Sequence, residues 1–388
     1  MAQKNTVYPR IHLSLDNCFA IKRWVRPRDW MKIIKQIGGI TNIQASTDNE
    51  IDPLFNTRAY RCGWVREVKE YEELLGLKVV SIYSGYATYR TTGLAHWDDA
   101  CRNALINRYY KPVVNIAKKL GAQVGNALSA FSAPILNDPV EYRKADNILM
   151  EKLISMTKYA QKKGVVFSYE QMYTPIQGFW TIDGCLGYIK TIYRTCGYPM
   201  YITIDTAHQV GQRFFIQPND QQMAGMIFSG ETGEFRLGER IEKMISEGGH
   251  DSADIRKALE LQPYLYSCAQ DCDVYAWFSK LGCYSPIVHL QQTDGTYSGH
   301  KPFTEEFNAK GIIEPMRVLK AIAGSYETDD NADMPPKVKD IYLTFELFFG
   351  ITETNDRICR DLSESIAFWR RYIPKDGMAL NDLIHPDN

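Results

Sequence analysis

The sequence predicts an α/β fold, a single parallel (β/α)8 barrel with a long insertion after its sixth strand, and three observations carry that prediction. Short apolar strands alternate with amphipathic helices along the chain, the pattern of parallel β-α units rather than of a meander. Four of the strands, at 164–170, 200–205, 285–291 and 340–346, each end on a side chain able to bind a metal. The 388 residues, 45% hydrophobic and 23% charged, make an ordinary globular composition, and one barrel with an insertion accounts for the length.

Each element has its local reason. Residues 11–15 alternate as a first strand, closed by Asp16-Asn17. Pro27 opens a helix over 28–37, with Trp30, Ile33, Ile34 and Ile37 at helical spacing and Gly38-Gly39 as its stop. Strand two follows at 40–45, a helix at 58–75 and strand three at 76–83. A long helix spans 97–120 and ends at Gly121; strand four takes 123–129 and a helix 139–163. Between Asp205 and Gln291 the chain runs more than twice a β-α unit of roughly 35 residues. Within that interval, 212–251 carries Pro218, Gly225, Gly230, Gly233, Gly238 and Gly248-Gly249 among charges. It reads as a long excursion on the catalytic face, with a helical stretch at 255–281 completing the unit. The polar run 327–337 reads as an exposed linker, and the expected organisation is one domain over 1–388.

Charge and cysteines narrow the partners. A formal net charge of −1 gives no basic field for nucleic acid and no polybasic patch for a membrane. The first ten residues are polar and the apolar run after them is too short for a signal core, so a cytoplasmic protein is expected. The nine cysteines include no second close pair to complete a zinc site beside Cys268 and Cys272, and read as reduced thiols.

The strand ends carry the chemistry. Side chains in a strand alternate faces, so Ser168 with Glu170, Thr203 with Asp205, His289 with Gln291, and Thr344 with Glu346 each share one. A parallel barrel converges its strand ends on one point. That would gather three carboxylates, Glu170, Asp205 and Glu346, with the amide of Gln291 or the imidazole of His289 around a divalent cation. So oxygen-rich a set favours hard or borderline ions over thiolate-loving ones; Mn2+ is the cation expected, with Mg2+ or Co2+ as alternatives.

The succession Glu170, Asp205 with His208, His289-Leu-Gln291 and Glu346 resembles the xylose isomerase-like TIM barrels. That group includes ketose 3-epimerases, hydroxypyruvate isomerase and sugar phosphate isomerases. The resemblance follows strand order over nearly the whole chain. It implies that Glu170 and Glu346 are ligands that also move protons, that Asp205 is a ligand only, and that Gln291 is the fourth ligand with His289 as its alternative. It implies too that His208 contacts a substrate oxygen, and that the partner is a small sugar or sugar phosphate bound by a homo-oligomer, a dimer or tetramer. Two family positions depart: Ile176 stands where the epimerases carry an acid, and Tyr297 where they carry an arginine. His300 and Lys301 are the substitutes the sequence offers for holding that end of the substrate.

The function expected is a metal-dependent sugar or sugar-phosphate epimerase working through a cis-enediolate, of the ketose 3-epimerase type. The alternatives are an aldose-ketose isomerase and, in another class, a lyase or dehydratase acting on a sugar or cyclitol. A repair endonuclease would need a histidine-rich zinc cluster and a basic groove, against seven histidines and no positive excess. A non-catalytic binding barrel is the bland reading, since fold does not set function. Singly, each residue has a plainer explanation: His12 as a satisfied barrel histidine, His96 as a helix-start residue, Asp294-Gly295 as a turn, and Phe19, Tyr83 and Tyr86 as packing rather than a sugar-binding wall.

Overall fold

Eight strands close into a parallel barrel: β1 (Arg10–Asp16), β2 (Asn42–Ser46), β3 (Lys78–Ser84), β4 (Gln123–Asn126), β5 (Phe167–Glu170), β6 (Tyr201–Asp205), β7 (Ile287–Leu290) and β8 (Asp340–Phe345). Each pairs with the next, and β1 pairs with both β8 and β2, which closes the ring and removes every edge. The computed structural model describes residues 6–85 and 91–385; Tyr86 lies outside them. The closing seam is long, running in register from Arg10 beside Asp340 to Leu15 beside Phe345. A two-residue strand, β9 (Met378–Ala379), then adds antiparallel to the start of β1.

The helices form the outer layer for the reasons the sequence suggests. Pro27 starts the helix Pro27–Ile37, where its missing N–H costs nothing, and buried Trp30, Met31 and Ile34 face inward. Asp138 caps the long helix Pro139–Lys162 through the backbone N–H groups of Val140 and Glu141.

Three stretches differ from expectation. The helix predicted at 97–120 begins at Asp99, because the Asp98 side chain accepts from the Cys101 N–H and sets the first turn there; a π-turn, Ile106–Tyr110, interrupts it. The excursion at 212–251 is not a plain loop but holds the helices Asp220–Ser229 and Glu239–Glu247. Its first helix is bounded by an Asn219–Gln222 capping box and left-handed Gly230, so residues that read as loop punctuation are helix caps. The stretch 255–281 breaks at Pro263 into Ser252–Glu260 and Val274–Leu281, with two 3-10 turns between. Among the described residues, no helix is long and apolar enough to cross a membrane.

Candidate metal centre

Strand register brings the predicted residues together. Asp205 at the end of β6 lies beside His289 of β7, which lies beside Thr344 of β8; Glu170, at the end of β5, lies beside Thr203 of β6. Glu346 follows β8 by one residue, and its N–H bonds the Leu290 carbonyl. Glu170, Asp205, His289 and Glu346 thus each point a possible ligand atom into the barrel, all within 4.8 Å of one another, and none is more than 3% exposed.

The charges there are strongly coupled. His289 Nδ1 lies 2.6 Å from Glu170 Oε1 and 3.3 Å from Glu346 Oε2. Burial opposes a charge on His289, but the two glutamates overcome it and raise the imidazole pKa to about 10. Burial likewise opposes ionised Glu170, yet His289, His208 and the Tyr83 hydroxyl hold it down at about 2. Glu346 goes the other way: burial, with Glu170 and Asp16 nearby, pushes its carboxyl well above the usual range despite His289. Asp205 is oriented by hydrogen bonds. Its Oδ1 accepts from the Ala207 and His208 N–H groups at 2.7 and 3.0 Å, and the Gln291 amide donates to both its oxygens at 2.9 and 2.8 Å.

The remaining predicted residues separate. His208 lines the cavity beside the group, with Nδ1 donating to the Gln171 carbonyl at 2.8 Å. His300 lines it too, its ring stacked on Phe348 at 4.0 Å. Its φ of +47° is left-handed for a non-glycine residue, and its N–H donates to Gln291 Oε1 at 2.6 Å. Lys301 is not at the site: its ammonium lies over the Phe307 ring, in a neighbouring cavity lined also by Tyr297 and Lys310. The left-handed turn at His300 leaves its ring in the cavity and carries Lys301 away to Phe307, so the two neighbours part company.

Sequence reasoning missed three groups. Tyr83, read as packing, donates its hydroxyl to Glu170 Oε2 and meets the His289 ring edge-on. Gln44, in the middle of β2, and Asp16, at the end of β1, lie fully buried behind His289. The polar residues Gln44 and Ser81 in apolar strands were the available signal. His12 and His96 are as plain as expected: His12 Nε2 meets Asp340 Oδ1 at 2.9 Å, and His96 Nδ1 accepts from the Asp98 N–H. Asp294 does make a turn, accepting from the Thr296 N–H.

The donor chemistry fits a divalent cation. Three buried carboxylates around one imidazole leave excess negative charge in a low-dielectric interior, which a cation would neutralise. Carboxylate oxygens with a single nitrogen suit hard or borderline ions rather than thiolate-seeking ones.

No protein-family model matches the chain. A curated relative, D-erythrulose 1-phosphate 3-epimerase of Brucella abortus (strain 2308), is 38% identical over 104 residues, 26% of this chain and 30% of that protein. Among solved structures, a candidate xylose isomerase from Rhodospirillum rubrum ATCC 11170 superposes with a TM-score of 0.67 at 15% identity, covering 93% of this chain and 99% of that one. The D-psicose 3-epimerase of Clostridium cellulolyticum H10, solved with D-tagatose, gives 0.54 at 13% identity over 93% and 98%. The chain shares the (β/α)8 barrel fold of these structures. At such identities the structural likeness speaks for the fold alone, and the matched segment of the curated relative is under a third of its length.

Proposed function

We propose that the protein is a metal-dependent epimerase of a small keto sugar or sugar phosphate, inverting the carbon next to the carbonyl through a cis-enediolate. The observation that carries this reading is the convergence of Glu170 and Glu346 on one imidazole nitrogen, with Asp205 completing a buried anionic group. Inversion needs one group to remove a carbon-bound proton and a second to return one to the opposite face, and two glutamates from β5 and β8, with two strands between them, supply both. The identity to a sugar-phosphate 3-epimerase over 104 residues supports the same chemistry.

Glu170, Asp205, Glu346 and His289 would hold the cation, with Mn2+ as the first choice and Mg2+ or Co2+ as substitutes. His289 is better supported than Gln291 as the fourth ligand. Its Nδ1 faces two of the carboxylates, whereas the Gln291 nitrogen is donated to Asp205 and its oxygen accepts the His300 N–H. When bound, the cation supplies Lewis-acid stabilisation of the charge that develops on the substrate oxygens. Glu170, held ionised by its neighbours, is the base that takes the carbon-bound proton, and Glu346 is the second group, which returns a proton to the other face. Tyr83 steadies the free oxygen of Glu170, and His208 and His300 bind substrate hydroxyls from the cavity wall. The chain acts as one domain in carbohydrate metabolism in the cytoplasm, as a homo-oligomer. Segment 212–251 borders the mouth, an arrangement supported by Arg213 donating to the Gly295 and Thr296 carbonyls of the loop after β7.

The test is incubation of the Mn2+-loaded protein with ketoses and short ketose phosphates in D2O, with deuterium located by NMR. Label at C3 with an inverted product is the expected result. An aldose product with label at C1 or C2 would replace epimerase with isomerase, and water loss would replace it with dehydratase. No label in any sugar, with chelator leaving thermal stability unchanged, would sink the metal-centred reading.

A further inference from the structure

The side of His289 that faces away from the carboxylates is built as carefully as the side that faces them. Its Nε2 lies 2.9 Å from the Gln44 carboxamide nitrogen. That nitrogen donates to Asp16 Oδ2 at 2.6 Å, and the Gln44 oxygen accepts from Ser81 Oγ at 3.0 Å. Asp16 is anchored in turn, its Oδ1 accepting from the Cys18 N–H at 2.6 Å. All four side chains are at most 1% exposed. A register shift between Ile43 and Gln44 makes the contact: Ile43 pairs with Val79 but Gln44 pairs with Ser81, so β3 carries an extra residue and Gln44 comes abreast of the serine.

A buried carboxamide with three polar neighbours has a task, because each polar atom left unmatched there would cost stability. We propose that Gln44 is the positioning residue for His289, and that Asp16 and Ser81 hold Gln44 in place for that task. The proposal rests on His289 being a metal ligand, as read above.

An imidazole that offers Nδ1 to a cation must carry its hydrogen on Nε2, and that hydrogen needs an acceptor. The Gln44 carboxamide is in contact with Nε2, and turning its amide by half a rotation presents oxygen instead of nitrogen to the ring. The turned nitrogen then faces Ser81 Oγ, which accepts as readily as it donates. The turned oxygen faces Asp16, which must supply a hydrogen, as a neutral carboxyl does. Burial raises the Asp16 pKa and favours that form. In the unturned orientation Gln44 donates to Nε2, and the hydrogen of a neutral His289 sits on Nδ1, shared with Glu170. The two amide orientations therefore correspond to the two imidazole tautomers, and only one of them frees Nδ1 for a cation.

This logic gives two variants effects of different sign. Gln44→Met keeps volume but offers no acceptor, and lowers Mn2+ affinity about tenfold or more. Asp16→Asn keeps the acceptor for Cys18 and adds a permanent donor toward the turned Gln44 oxygen, so it binds Mn2+ at least as tightly as wild type. Calorimetric titration of Mn2+ into the chelator-stripped full chain reads both without substrate. Wild-type affinity in Gln44→Met would overturn the proposal. So would a tenfold loss in Asp16→Asn, which would reduce the network to packing; that arm stands even if Gln44→Met fails to fold. Absence of Mn2+ binding by wild type itself would instead remove the metal-site reading, and this proposal with it.

Discussion

Asp340 opens strand β8 and Glu346 follows its last residue, and the two carboxyls meet opposite conditions. At the floor of the barrel, Asp340 receives both arms of the Arg10 guanidinium at 2.8 Å and the His12 ring at 2.9 Å. Burial there is partial and is outweighed by these partners, so the carboxyl is held below its usual range. At the mouth, Glu346 is buried among other carboxylates and is pushed well above that range. The floor spends its charges on pairing and the mouth keeps its charges in tension, which is the division a barrel makes between stability and chemistry.

Substitutions at the two ends should part sharply. Glu170→Gln removes the proposed base and should lower kcat by about 10²–10⁴-fold in the deuterium-exchange assay, whereas Asp340→Asn should leave kcat unchanged. Saturating Mn2+, at about a hundredfold its Kd, should stabilise wild type by about 2.7 kcal/mol in a thermal melt. Glu346→Gln should lose most of that gain. Equal gains in both proteins would place the cation elsewhere.

Tyr83→Phe tests a smaller element of the mouth. Without the hydroxyl, Glu170 is less well held as an anion, and kcat/KM should fall about tenfold, with the acid limb of its pH profile moving upward. An unmoved limb would make Tyr83 a packing residue after all.

The smallest effects carry the clearest signs. A carboxyl depressed in the folded state contributes stability above its unfolded pKa and loses it as pH falls through the folded value. Asp340→Asn should therefore cost about 0.5–1 kcal/mol at neutral pH and progressively less as pH falls below the usual carboxylate range. A carboxyl raised in the folded state contributes below its unfolded pKa and loses that contribution as pH rises through the folded value. In metal-free protein, Glu346→Gln should thus raise the melting temperature by roughly 2 °C at neutral pH and lose that advantage near pH 4. Urea or thermal melts across pH 3 to 8 read both.

Much of this was legible in residue order. Four strands ending on ligand types announced both a parallel barrel and the point where its ends meet, because period two and strand direction are local properties. Lys301 was misplaced beside His300, since a loop's backbone turn decides which of two neighbours faces inward. Gln44 was passed over because a polar residue in an apolar strand does not show that an extra residue in β3 brings it abreast of Ser81, and Tyr83 was read as packing because its sequence position does not show that its hydroxyl meets Glu170. The helices within 212–251 were hidden behind glycines that serve as caps as well as they serve loops.

The short strand Met378–Ala379 lies against Arg10 and Ile11, and the Leu380 N–H bonds the Pro9 carbonyl, so both ends of the described chain are stitched to the floor. For anyone handling the molecule this is a convenience. A tether attached near either end would hold the barrel by its closed base and turn its mouth toward the solution, leaving it open to small solutes on a sensor chip or a packed resin.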